Sequence, residues 1–179
     1  MRVSPFLLVV ALTACASSPP RPAGSDGNVS VRVEGNRSTL SMNAVPVAGV
    51  SVLASGIDKA WLVLPAVYDS LGIPRSKVDR ASYTIGNLGM QVRRRLGNVR
   101  LSKYLDCGTA QQGPSADSYD VNLSVTTQLQ AEPTGATRVT TTVAALSKPI
   151  MLSGEYSRCS STGEIELQVH NLLDAAVQR

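Results

Sequence analysis

Between residues 119 and 145 apolar and polar side chains alternate on both sides of one turn, and this constrains the fold more than any other feature. Tyr119, Val121, Leu123, Val125 and Leu129 fall on one face of an extended segment, with Thr127 filling the gap. Glu132-Pro133-Thr134-Gly135 reverses the chain, and Val139, Thr141, Val143 and Ala145 continue the alternation on the return. A period of two bounded by Pro and Gly predicts two long antiparallel strands. The many threonines suit a sheet with one wet face.

Shorter β signals surround this pair. Val29, Val31 and Val33, a turn at Glu34-Gly35-Asn36-Arg37-Ser38, then Leu40 and Met42 predict a hairpin. The apolar run over 45–53 predicts a strand, with Pro46 marking its start. Residues 78–85 predict a strand, Gly86-Asn87-Leu88-Gly89 a turn, and 90–96 the returning strand. One helical turn is expected over 101–105, a Gln/Gly/Pro/Ser-rich linker over 108–116, and further strand over 150–152 and 155–159.

Two segments carry helical spacing. Ile57, Ala60, Trp61, Leu64, Tyr68 and Leu71 form one apolar stripe, with Ser55 as N-cap and Gly72 then Pro74 as the stop. Pro65 removes a backbone donor and is expected to kink or break that helix. Near the C-terminus, Ser161 and Glu164 match a capping box, and Ile165, Val169, Leu172 and Ala176 form a core stripe widened by Leu173 and Val177. With 179 residues, 43% of them hydrophobic, the chain suits one domain. The element order predicts an α+β fold: a single antiparallel sheet with both helices packed on one face.

The N-terminus reads as a targeting segment. Arg2 precedes an apolar run over 5–12 that is too short to span a bilayer, and small residues follow. Leu12-Thr13-Ala14-Cys15 resembles the lipobox of bacterial lipoprotein precursors. That resemblance implies a signal peptide over 1–14 and lipidation at Cys15, with diacylglyceryl and acyl chains such as palmitate. Several chains anchor stably where one does not. Ala16, where enteric lipoproteins kept at the inner membrane carry Asp, implies the outer membrane. Residues 15–28, with Pro19-Pro20-Arg21-Pro22, predict an extended tether, and 29–179 the folded domain. Over about residues 50–160 the order of elements, with its Trp-bearing helix followed by a hairpin, resembles the helix-grip domains of outer-membrane barrel-assembly lipoproteins. This implies fold alone.

Of the three cysteines, Cys107 and Cys159 remain for an oxidising compartment, where a disulfide is expected. The alternative is a nucleophilic Cys107 with His170 as its base. His170 is the one histidine, which excludes a multi-histidine metal site. Gly-x-Ser-x-Gly, P-loop and dinucleotide turns are absent from the sequence, so no catalytic residue, metal or cofactor is assigned.

The concentrated charge is Arg93-Arg94-Arg95 with Arg100 and Lys103 nearby. In a strand, Arg93 and Arg95 share a face while Arg94 lies opposite, between Val92 and Leu96. Arg93, Arg95 and Arg100 are therefore candidate contacts to anionic lipid or to an acidic envelope protein. Nucleic acid is not expected, because no aromatics interleave with the basic run. The leading expectation is a non-enzymatic binding or assembly-accessory module at the cell envelope. One alternative is a carrier of a small apolar ligand in a cavity lined by Trp61, Leu64 and Tyr68. Another is a small hydrolase using Asp117, Asp120 and His170.

Overall fold

The alternating segments form strands β11 (Asp120–Ala131) and β12 (Thr137–Lys148), paired over their whole length in the register Thr127↔Thr141. The fold was determined as a computed structural model, which describes residues 29–35, 38–44, 47–150 and 155–179, with side chains from 48 onward. The lipobox, Cys15, the tether, Pro46 and the strand expected over 150–152, beyond Ile150 itself, lie outside the described residues.

In chain order the other strands are β1 (Val29–Gly35), β2 (Ser38–Ala44), β3 (Val47–Leu53), β4 (Lys77–Asp79), β5 (Thr84–Arg93), β6 (Arg95–Leu96) and β7 (Val99–Arg100). They continue with β8 (Leu105–Asp106), β9 (Thr109–Ala110), β10 (Gly113–Pro114) and β13 (Ser157–Ser161). The helices are α1 (Ile57–Leu71), the short α2 (Ser115–Ser118) and α3 (Glu164–Val177). The main sheet is antiparallel, with β5, β11 and β12 at its centre. On one side β4 and β6 pair with β5. On the other, the edge of β12 is shared: β3 covers residues 137–143, and β13 covers 145–147. The class is α+β as expected, and its sheet extends further than the sequence pattern indicates.

Both long helices lie on one face, α1 over β5 and β11, α3 over β3 and β12, in contact with each other. Val121, Leu123, Val125, Leu129, Val139 and Val143 are buried beneath them. Thr127 lies in the same layer: its Oγ1 is 2.9 Å from the Tyr68 hydroxyl and 3.0 Å from Thr141 Oγ1. A row of alternation interrupted by threonine is thus a buried polar relay with its partners supplied. The second face is not simply wet, because the β1–β2 hairpin lies over β5 and β11, and Asn122, Ser124, Ala144 and Leu146 are buried there.

Several local expectations are corrected. α1 runs through Pro65 unbroken and starts after Gly56, not with Ser55 as cap; the Ser55 carbonyl instead accepts from Thr137 Oγ1 at 2.6 Å. It ends as expected at Gly72, which adopts a left-handed φ of 70°. The turn placed at residues 86–89 lies instead at 80–83, where the Asp79 carboxylate accepts from the backbone N–H groups of Ala81 and Ser82. Gly86 is inside β5, since a Cβ there would lie 2.5 Å from the Val125 carbonyl oxygen. Residues 88 and 89 form a bulge opposite Ser124.

α3 begins after Gly163, with no capping box. Ser161 Oγ donates to Glu166 and accepts from Gly163 N–H. Its buried stripe is Ile165, Val169, Leu173 and Val177, rotated away from the expected Leu172, which is exposed.

Cys107 and Cys159 are disulfide-bonded across the continuation of the β8–β13 register, with Cα atoms 4.2 Å apart. The loop closed spans 52 positions, for which chain entropy predicts roughly 4 kcal/mol of stabilisation. The bond fastens β8 to β13, and β13 pairs with β12.

Candidate functional site

The basic run does not continue as a strand. Arg94 takes a left-handed φ of 60°, and the chain reverses so that Arg93 pairs with Arg95. A second reversal at Gly97, with φ of 56°, sets Arg95 opposite Arg100. Leu101 N–H closes the structure onto the Arg94 carbonyl at 2.9 Å. The face expectation for Arg93 and Arg95 is therefore replaced by a corner. Its driving force is burial of Leu96 and Leu101, which the two reversals turn into the core.

The corner sorts the arginines. Arg93 stands opposite Asp120 in the β5–β11 register and forms a two-pronged ion pair with it, donating from Nε and Nη2. That pair holds the Arg93 guanidinium above its ordinary pKa. Arg94, Arg95 and Arg100 are exposed and line a pocket of about 330 Å³ together with Asp117. Both Asp117 oxygens already accept bonds from Ser102, at 2.9 Å from the backbone N–H and 2.8 Å from the hydroxyl. Its distance to Arg100 Nη1 is 3.9 Å, the edge of an ion pair. Among the described residues neither Arg94 nor Arg95 has a carboxylate partner, although Arg95 Nη1 donates to the Asn98 carbonyl at 2.8 Å. The pocket thus offers guanidinium forks in surplus over acid. That arrangement suits a carboxylate or phosphate, which accepts two parallel N–H bonds. Arg94 is the residue that the strand assumption hid, and its only signal was the unbroken triplet.

The other anticipated residues do not converge. Leu64 and Tyr68 are fully buried between α1 and the sheet. Trp61 is half-buried in a surface cluster, edge-on to Tyr83 at 5.7 Å between ring centroids, with the Arg80 guanidinium 5.4 Å from its centroid. Arg80 also donates to Asp58 at 2.5 Å, and Tyr83 donates to the same oxygen at 3.1 Å. Asp58 is thereby held below its ordinary pKa, first by the Arg80 bond and then by Tyr83. Asp117 and Asp120 are committed to Ser102 and Arg93, while His170 lines a different pocket, beside Glu166 on α3. Cys107 is held in the disulfide. Among the described residues no group of three or more His, Cys, Asp or Glu side chains could hold a metal ion.

No protein-family model matches the chain, and no curated protein matches it.

Proposed function

We propose that this chain is a bacterial envelope lipoprotein, anchored through Cys15 at the outer membrane, that works without catalysis as a binding or assembly-accessory module. The observation that carries the binding role is the corner where Arg94, Arg95 and Arg100 share a pocket with one acid already bonded elsewhere. Its occupant is an acidic side-chain cluster of an envelope protein. A concave pocket of three forked cations fits discrete carboxylates better than a flat anionic surface, where charge spread over a face serves best. The lipobox and tether supply the anchoring half of the reading. No described helix is long and apolar enough to cross a membrane.

A photo-crosslinking residue in place of Asn98, at the rim of the corner, tests the binding half in native envelopes. The expected result is a discrete protein adduct that disappears when Arg94, Arg95 and Arg100 are all replaced by Gln. An adduct pattern indifferent to the triple replacement would overturn the assignment, as would adducts to lipid alone. For the anchor, Cys15→Ser is expected to leave an unlipidated precursor, and normal membrane retention of that variant would contradict it.

A further inference from the structure

The opposite side of the sheet ends differently. Among the described residues β3 pairs with β12 alone, so one edge of β3 carries backbone donors and acceptors without a sheet partner. α3 packs on β3 so closely that a Cβ on Gly49 would lie 2.5 Å from Glu166 Cβ. Between β3 and α3 runs a pocket of about 260 Å³, lined among others by Gly49, Ser51, Glu166, Leu167 and His170. On the other face of β3, Val50 and Val52 are 57% and 55% exposed.

Glu166 makes this edge unusual. The residue is only 8% exposed, and while Oε2 accepts from Ser161 Oγ at 3.0 Å, the buried Oε1 has no hydrogen-bond partner. Nδ1 of His170, one helical turn on, is likewise buried without a partner. A carboxylate oxygen removed from water and left unpaired is costly, and a cationic donor entering the pocket removes that cost.

We propose that β3 accepts an extended segment of a partner protein by strand addition, with a lysine or arginine of that segment opposite Gly49 or Ser51 meeting the Glu166 carboxylate. Side chains of an added strand alternate between faces. The basic residue therefore points beneath α3, and its two neighbours point outward beside Val50 and Val52, where apolar β-branched residues bury most area. The recognised pattern is apolar–basic–apolar. A second copy offering its own β3 would present Val50-Ser51-Val52, which brings no cation to Glu166. This surface lies across the sheet from the arginine corner and does not depend on it.

The test titrates the purified full chain with fluorescein-labelled nine-residue peptides of alternating Val and Thr whose central residue is Lys, norleucine or Glu. The lysine peptide is expected to bind about tenfold more tightly than the norleucine peptide, and E166Q to abolish that preference. Replacing Val50 and Val52 together with Ser, at exposed positions, should weaken both peptides equally and keep the preference. Amide hydrogens of residues 49–52 should gain protection on binding, and R94Q/R95Q/R100Q should bind as the parent does. Equal affinities, a lysine preference surviving E166Q, no binding by any peptide, or unprotected β3 amides would each overturn the proposal.

Discussion

The two sides of this sheet solve the same problem in opposite ways. On the β5 side other strands take part of the backbone edge, β4 at residues 84–86 and β6 at Arg93, while Arg93 is neutralised by Asp120 and Asp79 ties down the turn. What this side presents is charge, carried by Arg94, Arg95 and Arg100. On the β3 side the charge facing the pocket is the buried Glu166 carboxylate, and among the described residues one backbone edge of β3 has no sheet partner. On the two proposals above, the edge that projects cations and the edge that conceals an acid take different partners.

The glycines of the two sides offer a direct way to break this comparison, but the disulfide carries the largest effect. It fastens the shorter part of the β12 edge, residues 145–147, which β3 leaves to β13. Replacing Cys107 and Cys159 by Ser is expected to lower stability by roughly 4 kcal/mol, read from urea unfolding. A loss below about 1 kcal/mol would mean that β13 and β8 are held by pairing alone.

Next in size is Gly86→Ala, expected to cost about 3 kcal/mol, because the added methyl meets the backbone oxygen of Val125, which cannot swing away. Gly49→Ala should cost less, about 1 kcal/mol, because it presses on Glu166 and α3 can yield outward over an open edge. Equal costs would show that the β3 side is as rigidly built as the β5 side. Between the edges, Tyr68→Phe should cost about 1 kcal/mol, since Thr127 keeps Thr141 as a partner.

The smallest effect is on acid stability. Asp58 and Asp79 are both held below their ordinary pKa of 3.8, Asp58 chiefly by Arg80 and Asp79 chiefly by the Ser82 hydroxyl. A carboxylate depressed in the folded state adds stability that is complete above its ordinary pKa and is lost as pH falls through the lower folded value. Asp58→Asn and Asp79→Asn should therefore lower the melting temperature slightly at neutral pH and narrow the gap below pH about 4. A gap that widens on acidification would refute both pairings.

The sequence made the centre of the fold legible because alternation and helical spacing are set by burial on one face. The β11–β12 pair and α1 to its Gly72 stop follow from it, while the Cys107–Cys159 bond follows from the cysteine count and the expected oxidising compartment. It misled where a glycine served close approach instead of reversal. Gly86 reads as turn chemistry, yet it is needed because Val125 comes too near for any Cβ, a contact between residues far apart in the chain. The arginine triplet was visible, but not its sorting, since Asp120 selects Arg93 only through the β5–β11 register. Glu166 gave no signal at all. Its neighbours Ile165 and Val169 mark the core stripe, and the closeness of Gly49 that buries it is a tertiary fact.

The proposed binding role rests on the arginine corner taking up acid. The most direct measurement is titration of the full chain and its R94Q/R95Q/R100Q variant with a labelled oligoglutamate peptide at about 50 and about 300 mM salt. Exposed Arg–carboxylate pairs contribute up to about 1 kcal/mol each, so the variant should bind roughly tenfold more weakly at low salt. At high salt the difference should shrink. Equal affinity of parent and variant at low salt would mean that the corner does not bind acid.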